Sequence, residues 1–126
     1  MVVEIGLTDE QTDRVFHALA TATRRDIVRR TIEREQSVSA LAAEYDMSFA
    51  AVQKHVAVLE EAGLIVKRAE GRERLVRADP EMIARAQALL SRYESLWRSR
   101  IDRLDALLAK DDPDDSTHPN HDREGA

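Results

Sequence analysis

The residue types best suited to chemistry lie together in the middle of the chain, in the stretch MSFAAVQKHVAVLEEAGLIVKRAEGRERLV, residues 47–76. At 100° per residue, the large apolar side chains of its first half fall on one side of a helix: Phe49, Val52, Val56 and Leu59. The opposite side carries small and polar residues, so it is free to contact a partner. Two basic runs follow on either side of Glu70-Gly71, a pattern that favours a β-hairpin.

The residue types on this free helix face suit contact with the major groove of DNA. Gln53 has the geometry for a bidentate contact to adenine, Lys54 can reach guanine or phosphate, and alanine allows close approach to a thymine methyl group. The predicted contacts from the helix are Ser48, Ala50, Ala51, Gln53, Lys54 and His55. For His55, a phosphate contact and a hydrogen bond within the fold are equally compatible with the sequence. An exposed face without a partner is the less favoured interpretation, because the basic hairpin adjoins it.

The predicted hairpin would supply a second set of DNA contacts. Basic side chains on two adjacent strands suit the phosphate backbone or the minor groove. The predicted wing contacts are Lys67, Arg68, Arg72 and Arg74. Upstream, Arg24 and Arg25 follow Thr23 at a predicted helix start and could approach phosphate. Solvent-exposed side chains and pairing with acids are the alternatives for these two arginines, and the solvent-exposed one is favoured.

Capping residues and apolar periodicity predict the elements that position these residues. Thr8 and Gln11 form a capping box at the start of a first helix, and Thr23 is the predicted cap of a second. The predicted inward residues of the second helix are Ile27, Val28 and Ile32. A short third helix lies in SVSALAAEY, Ser48 caps the fourth, and Gly63 ends it. The fold class is therefore mainly α with a small β-hairpin wing, a winged helix-turn-helix.

A long helix is predicted after the hairpin, from Pro80 to about Lys110, with Asp79 as its cap. It would be roughly 45 Å long, and its apolar residues alternate three- and four-residue steps, as in a coiled coil. The seam residues are Leu90, Tyr93, Trp97, Ile101, Leu104 and Leu108. Because the helix is too long for the small core before it, a second copy of the chain is the favoured cover. Folding back across its own domain and an effector pocket at Tyr93 and Trp97 are the alternatives.

Composition and charge divide the chain. Its 126 residues suit one ordinary domain, and the absence of cysteine excludes disulfides and zinc-thiolate sites. The formal charge of −5 resides in residues 111–126, where six acids stand against one arginine, whereas residues 1–110 carry 18 acids and 18 bases. The predicted organisation is an N-terminal arm (1–7), a winged helix-turn-helix domain (8–79), a C-terminal dimerisation helix (80–110) and an acidic disordered tail (111–126).

Several classes of function are excluded by what the sequence lacks. It has no Gly-rich phosphate loop, no nucleophile paired with a base and no paired carboxylates in a catalytic context, so we expect no catalytic residues, no cofactor and no enzyme. No apolar stretch approaches the ~18 residues of a membrane helix, and the N-terminus lacks the features of a signal peptide. We therefore expect no membrane partner and a cytoplasmic location.

Three segments, taken together, resemble a known family: LATATRRDIVRRTIE, SALAAEYDMSFAAVQKHVAVLEEAGLIVKRAEGRERLVRADP and LWRSRIDRLDALL. In order and spacing they are similar to the ArsR (arsenic-repressor) family of bacterial winged-helix regulators, over nearly all of residues 9–110. The family's V-S-x-H-L-x-x-L-x-x-A-G-L pattern is matched from Val52 to Leu64, with Gln53 in place of Ser and Val56 in place of Leu. The resemblance implies a homodimer built from the first and last helices, with Phe16 in the interface, and repression at an imperfect inverted repeat near a promoter.

The same resemblance raises the question of a metal. Thiolate sensors of the family carry cysteines on the third helix, and other members place histidine on the last helix; this chain has neither feature. A transition-metal site at either place is therefore not expected. His118 and His121 lie with aspartates in the tail and form a less favoured ligand cluster. His17 is more simply a structural or dimer-edge histidine.

The predicted function is that of a sequence-specific DNA-binding transcriptional regulator, a homodimeric repressor that does not respond to metal. Its predicted partners are a double-stranded DNA operator and a second copy of itself, with a small-molecule or protein effector left open. The alternative is a winged-helix protein-interaction module without DNA binding. The acids near the recognition face are a mild sign of that alternative: Glu60, Glu61 and Glu73.

Overall fold

The computed structural model describes residues 6–110. The predicted acidic tail, with His118 and His121, and most of the predicted N-terminal arm lie outside the described residues. The described part contains five helices and three strands, in the order α1 (Asp9–Ala18), α2 (Ala22–Glu33), β1 (Gln36–Ser37), α3 (Val38–Ala42), α4 (Phe49–Glu61), β2 (Ile65–Glu70), β3 (Glu73–Ala78) and α5 (Pro80–Lys110). The predicted fold, mainly helical with a small wing, is confirmed.

Side-chain caps determine where α1 and α4 begin. Thr8 Oγ1 accepts from the Gln11 backbone N–H, and Gln11 Oε1 accepts from the Thr8 backbone N–H. The predicted capping box is therefore confirmed, and it satisfies two backbone donors that a helix start leaves unpaired. Ser48 caps α4 as predicted, because its Oγ accepts from the Ala51 N–H at 3.1 Å.

The predicted cap of α2 is wrong. Thr21, rather than Thr23, has an extended backbone and accepts from the Arg24 backbone N–H at 3.2 Å. The helix therefore begins at Ala22, and Thr23 already lies inside its first turn. Both threonines have the side chain of a cap, and the tight turn after α1 decides between them.

The sheet has one strand more than the sequence predicted. The order is β1-β3-β2, all antiparallel, so β3 is central and pairs with β2 from Ile65–Ala78 to Glu70–Glu73. The added strand β1 pairs Gln36 with Val76. A strand of two residues is too short to show a period of two, so no sequence pattern could have indicated it.

The core lies between α1–α4 and the inner face of the sheet. Its fully buried side chains include Val15, Ile27, Leu41, Val52, Val56, Leu59, Leu64, Ile65 and Val76. The prediction that Ile32 faces inward is wrong, because Ile32 is 59% exposed. Thr31 takes the buried position, and its hydroxyl donates to the carbonyls of Ile27 and Val28 at 2.9 and 3.0 Å. A buried hydroxyl paired in this way avoids the cost of an unsatisfied polar group.

The chain divides into two compact units, and the first ends at Leu89. The first turns of α5 belong to that unit, because Met82, Ile83 and Ala86 pack against the core. The sequence placed the division at residue 80, where the helix begins, because apolar periodicity alone does not reveal which turns of a helix pack on a core.

The second unit contributes the rest of α5. No residue of α5 is fully buried, and the seam side chains are between 38% and 67% exposed: Leu90, Tyr93, Leu96, Trp97, Ile101, Leu104, Leu107 and Leu108. Leu96 and Leu107 were not among the predicted seam residues, and they add a second line of exposed apolar side chains beside it. Within the described residues, no helix is both long and apolar enough to cross a membrane.

The two glycines with positive φ provide a matched test of the backbone. Gly63 ends α4 with φ +80°, and Gly71 lies in the hairpin turn with φ +61°. We expect Gly63→Ala to lower the free energy of unfolding by about 1–3 kcal/mol, because the left-handed conformation disfavours a Cβ atom. The added Cβ would also lie 2.9 Å from Met82 Cε, whereas Gly71→Ala meets nothing within 4 Å. Because Met82 Cε is the end of a flexible side chain that can move aside, the positive φ should dominate, and urea unfolding should show losses of similar size for the two variants. A much larger loss for Gly63→Ala would show that Met82 cannot move aside.

Candidate nucleic-acid interface

The helix-turn-helix consists of α3, a short turn and α4, and one polar cluster attaches the turn between its two helices to α2. Tyr45 Oη donates to Asp26 Oδ2 at 2.6 Å. The same carboxylate accepts from Arg30 at 2.8 Å and from Arg29 at 2.7 Å. Arg30 also lies over the Tyr45 ring, 5.7 Å from its centroid. This cluster fixes the turn that precedes α4, and therefore the direction in which α4 is presented.

The hydrogen bonds of this cluster hold the pKa of Asp26 well below its usual range, with the bond from Tyr45 as the largest cause, followed by Arg30 and Arg29. Burial, together with the bond to Asp26, raises the pKa of Tyr45 to about 12. A carboxyl group whose pKa is depressed by folding stabilises the fold above its unfolded pKa of about 3.9. That contribution is lost as the pH falls through the folded pKa.

We therefore expect Asp26→Asn to lower the free energy of unfolding at pH 7 by about 1–3 kcal/mol, the range for hydrogen bonds to a charged group. The difference from the wild type should shrink as the pH falls below about 4, because Asp26 then takes up a proton in the unfolded wild-type chain while it is still ionised in the folded one. Urea unfolding at pH 7, 5 and 3.5 measures the difference in the free energy of unfolding between the variant and the wild type. Asp13→Asn, at an exposed position of α1, serves as the matched control. A pH-independent difference between Asp26→Asn and the wild type would contradict the argument.

The predicted recognition face and the wing border one groove of about 330 Å³. Its lining includes Gln53 from α4 and Lys67, Arg72 and Arg74 from the hairpin, four residues that the sequence proposed for DNA contact. The groove also includes residues that the sequence analysis did not propose for it: Ser37, Ser39 and Phe49. Glu73, which the sequence analysis placed near the recognition face, lines it too. Two serines at the start of α3 were a signal that could have been used.

The outer face of α4 is open. Ala50, Gln53 and Lys54 are exposed, as is the cap Ser48, whereas Ala51 is half-buried. The prediction that Phe49 faces inward is wrong, because its side chain is 47% exposed. Phe49 is the first residue of α4, where the helix extends past the core, so the apolar stripe is buried only from Val52 onward.

The wing cations lie in different environments. Directly paired residues on antiparallel strands share a face, so Lys67 and Arg74 lie on the same face as buried Val76, and Arg68 lies on the other. Arg68 donates to both oxygens of Glu35 at 2.9 Å, which lowers the pKa of Glu35. Lys67 Nζ lies 3.3 Å from Glu60, one of the acids near the recognition face. Within residues 6–110, neither Arg72 nor Arg74 has a carboxylate within 4.0 Å, so their charge is available to a partner.

Arg24 is buried, so the expectation that its side chain is solvent-exposed is wrong. The guanidinium donates to the carbonyl of Ala18 at 2.7 Å, to that of His17 at 3.1 Å and to His55 Nδ1 at 3.1 Å. Arg25 donates to the carbonyl of Leu19 at 2.8 Å. The two arginines therefore donate to carbonyls at the end of α1, where the regular helical bonding stops; of these, the His17 carbonyl also accepts from the Ala20 N–H.

For His55, the hydrogen bond within the fold is confirmed. Arginine has no acceptor, so His55 Nδ1 must be unprotonated, and the ring carries its hydrogen on Nε2. Burial, followed by the charge of Arg24, lowers the pKa of His55. A neutral imidazole with one N–H remains for any further contact.

Within the part of the chain that the structure describes, no group of three or more His, Asp or Glu side chains lies close enough to hold a metal ion. The α3–turn–α4 unit with an open outer face on α4, flanked by a hairpin whose Arg72 and Arg74 have no carboxylate within 4.0 Å in residues 6–110, has the architecture of a winged helix-turn-helix. Residues 19–68 match a family described as a helix-turn-helix domain.

Known proteins identify the family. The chain is 36% identical over 86 residues to the HTH-type transcriptional regulator Rv2034 of Mycobacterium tuberculosis. The aligned residues cover 68% of this chain and 80% of that protein. A crystal structure of an ArsR family transcriptional regulator has a TM-score of 0.70 at 33% identity, over 75% of this chain and 97% of that one. An ArsR-like regulator from Rhodococcus sp. RHA1 also has a TM-score of 0.70 at 28% identity, and the match covers 78% of this chain and 92% of that one. The protein belongs to the ArsR family of winged helix-turn-helix transcriptional regulators, and it is not an enzyme.

A solved relative also bears on assembly. The homodimeric winged helix-turn-helix DNA-binding domain of Mb0332 from Mycobacterium bovis, a possible ArsR-family regulator, has a TM-score of 0.56 at 28% identity, over 71% of this chain and 89% of that fragment.

Proposed function

We propose that the protein is a homodimeric repressor that binds an imperfect inverted repeat near a promoter. The observation that carries this proposal is the shared groove, in which Gln53 of α4 lies beside Arg72 and Arg74 of the wing. A helix in the major groove can read bases while the adjacent arginines bind the backbone or the minor groove. A DNA-binding regulator acts where the DNA is, and we propose a cytoplasmic location on that ground.

The residues divide into two roles in this proposal. Gln53 and Lys54, with Ala50 and Ala51 as close-approach positions, contact base edges, and Ser48 and the Nε2–H of His55 contact phosphate. Arg72 and Arg74 are the principal wing contacts because their charge is unpaired within residues 6–110. Lys67 contributes less, since it shares its charge with Glu60, and Arg68 least, since Glu35 binds it on the other face.

The homodimer is supported by the exposed seam of α5. Eight large apolar side chains between Leu90 and Lys110 lie more than a third exposed, a density that single soluble helices do not sustain without a cover. Phe16 of α1 is also exposed, at 41%, and it remains a proposed interface residue on the family resemblance. Two recognition helices related by a two-fold axis would then read half-sites one helical turn apart, roughly 34–36 Å.

A response to metal is not part of the proposal. The chain has no cysteine, and residues 80–110 contain no histidine, so the two ligand sets implied by the family are both missing. A titration of the operator complex with Zn²⁺ and with arsenite tests this, and metal-dependent release of DNA would contradict it.

The test of the function is binding to the DNA upstream of the protein's own gene, titrated with salt and run against unrelated competitor DNA. Specific retardation that falls steeply with salt is expected, because phosphate contacts release counterions. A repressor should also lower transcription from that promoter in a purified system. If the dimer forms but neither this DNA nor a random-sequence selection yields a specific site, the proposal fails.

The alternative function is a winged-helix module that binds a protein. The observation in its favour is Glu73, an acid that lines the same groove. The pairing of Glu60 with Lys67 removes one of the other acids from that argument. Salt dependence distinguishes the two functions, since contacts to a protein release few counterions.

A further inference from the structure

A second cavity, of about 570 Å³, lies in the first unit between the end of α2, the end of β3 and the first turns of α5. We call it the α2–α5 pocket, and its principal lining residues are Ile32, Arg34, Arg77, Ala78, Ile83 and Ala84. It shares no lining residue with the groove at the recognition face. Its volume is in the range of small-molecule sites, about 300–1,000 Å³.

The walls of the pocket are apolar. Ile32, which the sequence placed in the core, is 59% exposed and lines this cavity, together with Ile83 and Ala84 from the facing helix. A β-branched apolar side chain opposite an apolar helix face gives an aliphatic chain or a flat ring a surface to bury. Such burial favours binding because it removes apolar surface from water.

The rim of the pocket is positively charged. Arg34 and Arg77 are exposed, and within residues 6–110 neither guanidinium lies within 4.0 Å of a carboxylate. Glu35 also lines the pocket, but both of its oxygens accept hydrogen bonds from Arg68. Two guanidinium groups without a direct carboxylate partner in the described residues therefore stand at the rim of an apolar cavity. The charge of Arg77 also acts on Glu35, whose pKa it helps to lower, but the two groups are not in direct contact.

We propose that the α2–α5 pocket binds an amphipathic organic carboxylate, whose apolar body lies between Ile32 and Ile83 and whose carboxylate pairs with Arg34 and Arg77. Arginine suits this task because its planar fork binds a carboxylate through two parallel hydrogen bonds. One wall of the pocket contains Arg77 of β3, and the same strand carries the wing residue Arg74. Another wall is formed by the first turns of α5. The assignment of this ligand as the effector of the repressor rests on the proposed function.

Isothermal titration calorimetry of the full chain with octanoate tests the site, in a buffer free of other carboxylates and of phosphate. The neutral analogue octanamide has the same chain length and no charge. We expect octanoate to bind once per chain and at least about tenfold more tightly than octanamide, because a hydrogen bond to a charged group is worth more than a neutral one. DNA is absent from this experiment, so its outcome is independent of whether the protein is a repressor.

Three variants locate the binding. Arg77→Gln should weaken octanoate about tenfold and leave octanamide unchanged, whereas Arg92→Gln, an exposed arginine of α5 outside the pocket, should change neither. Ala84→Phe places a ring in the cavity from an exposed helix position, where it can be accommodated without disturbing the core, and should abolish binding of both compounds. Circular dichroism and thermal unfolding confirm that each variant is folded.

The outcomes decide the proposal. Equal affinity for octanoate and octanamide would show that the arginines do not bind the carboxylate, and the proposal would be overturned. Equal effects of Arg77→Gln and Arg92→Gln would overturn it as well. Octanoate binding that survives Ala84→Phe would assign the ligand to the apolar seam of the second unit instead.

Discussion

Replacing Trp97 with glutamate is expected to convert the dimer into monomers and to lower the affinity for the operator by about 10²–10⁴-fold. Trp97 is 60% exposed at the centre of the α5 seam, and the proposed homodimer would bury it against a second copy. A charged carboxylate at that place would have to lose its water without gaining a partner. The large loss for DNA follows because the second half-site would no longer be engaged within the same complex.

The matched control is Ser99→Glu. At 100° per residue, residue 99 lies on the opposite side of the helix from residue 97, and Ser99 is exposed. It introduces the same charge on the same helix without entering the seam. Light scattering after size exclusion measures the mass, and a gel-shift titration measures the affinity. A dimer that survives Trp97→Glu, or equal effects of the two variants, would contradict the assignment of the seam.

A shorter chain, ending before Tyr93, tests the same prediction without introducing a charge. The first unit ends at Leu89 and contains the core and the wing, so this truncation keeps every residue of the proposed DNA groove. We expect a folded monomer with weak DNA binding. Undiminished operator binding by such a monomer would refute the two-half-site mechanism.

The second large effect is expected from the double substitution Arg72→Ala and Arg74→Ala. Each arginine that binds phosphate adds about 1 to the slope of log K against log salt, so the slope should fall by about 2. Affinity should fall on the operator and on unrelated DNA alike, because phosphate carries no sequence information. Gel-shift titrations at several salt concentrations measure both quantities.

Two other variants separate the roles within the groove. Arg68→Ala removes a cation from the same wing, but from the face on which Glu35 holds it. It should therefore leave the salt slope nearly unchanged. Gln53→Ala should cost about 1–3 kcal/mol on the operator and little on unrelated DNA, because it removes a base contact. If Arg68→Ala acted like the double variant, or if Gln53→Ala lowered binding on all sequences, the division between helix and wing would be wrong.

The sequence by itself determined the elements whose signals are local. The capping box of Thr8 and Gln11, the cap Ser48 and the turn at Gly71 were each legible because they depend on residues three or four positions apart. The length of α5 followed from an unbroken apolar period after Pro80. Membership in the family followed from motifs whose order and spacing survive without any structure.

Tertiary structure alone decided which side chains remain available to a partner. Four basic residues of the wing looked equivalent in sequence, yet only strand register and long-range pairing put Arg68 against Glu35, 33 positions away, and leave Arg72 and Arg74 unpaired within residues 6–110. The burial of Arg24 and the choice of Thr31 over Ile32 have the same origin, because carbonyls at a helix end and the shape of a core are not encoded in a local period. A periodic pattern specifies the face of a helix, whereas the contacts of that face depend on residues far away in the chain.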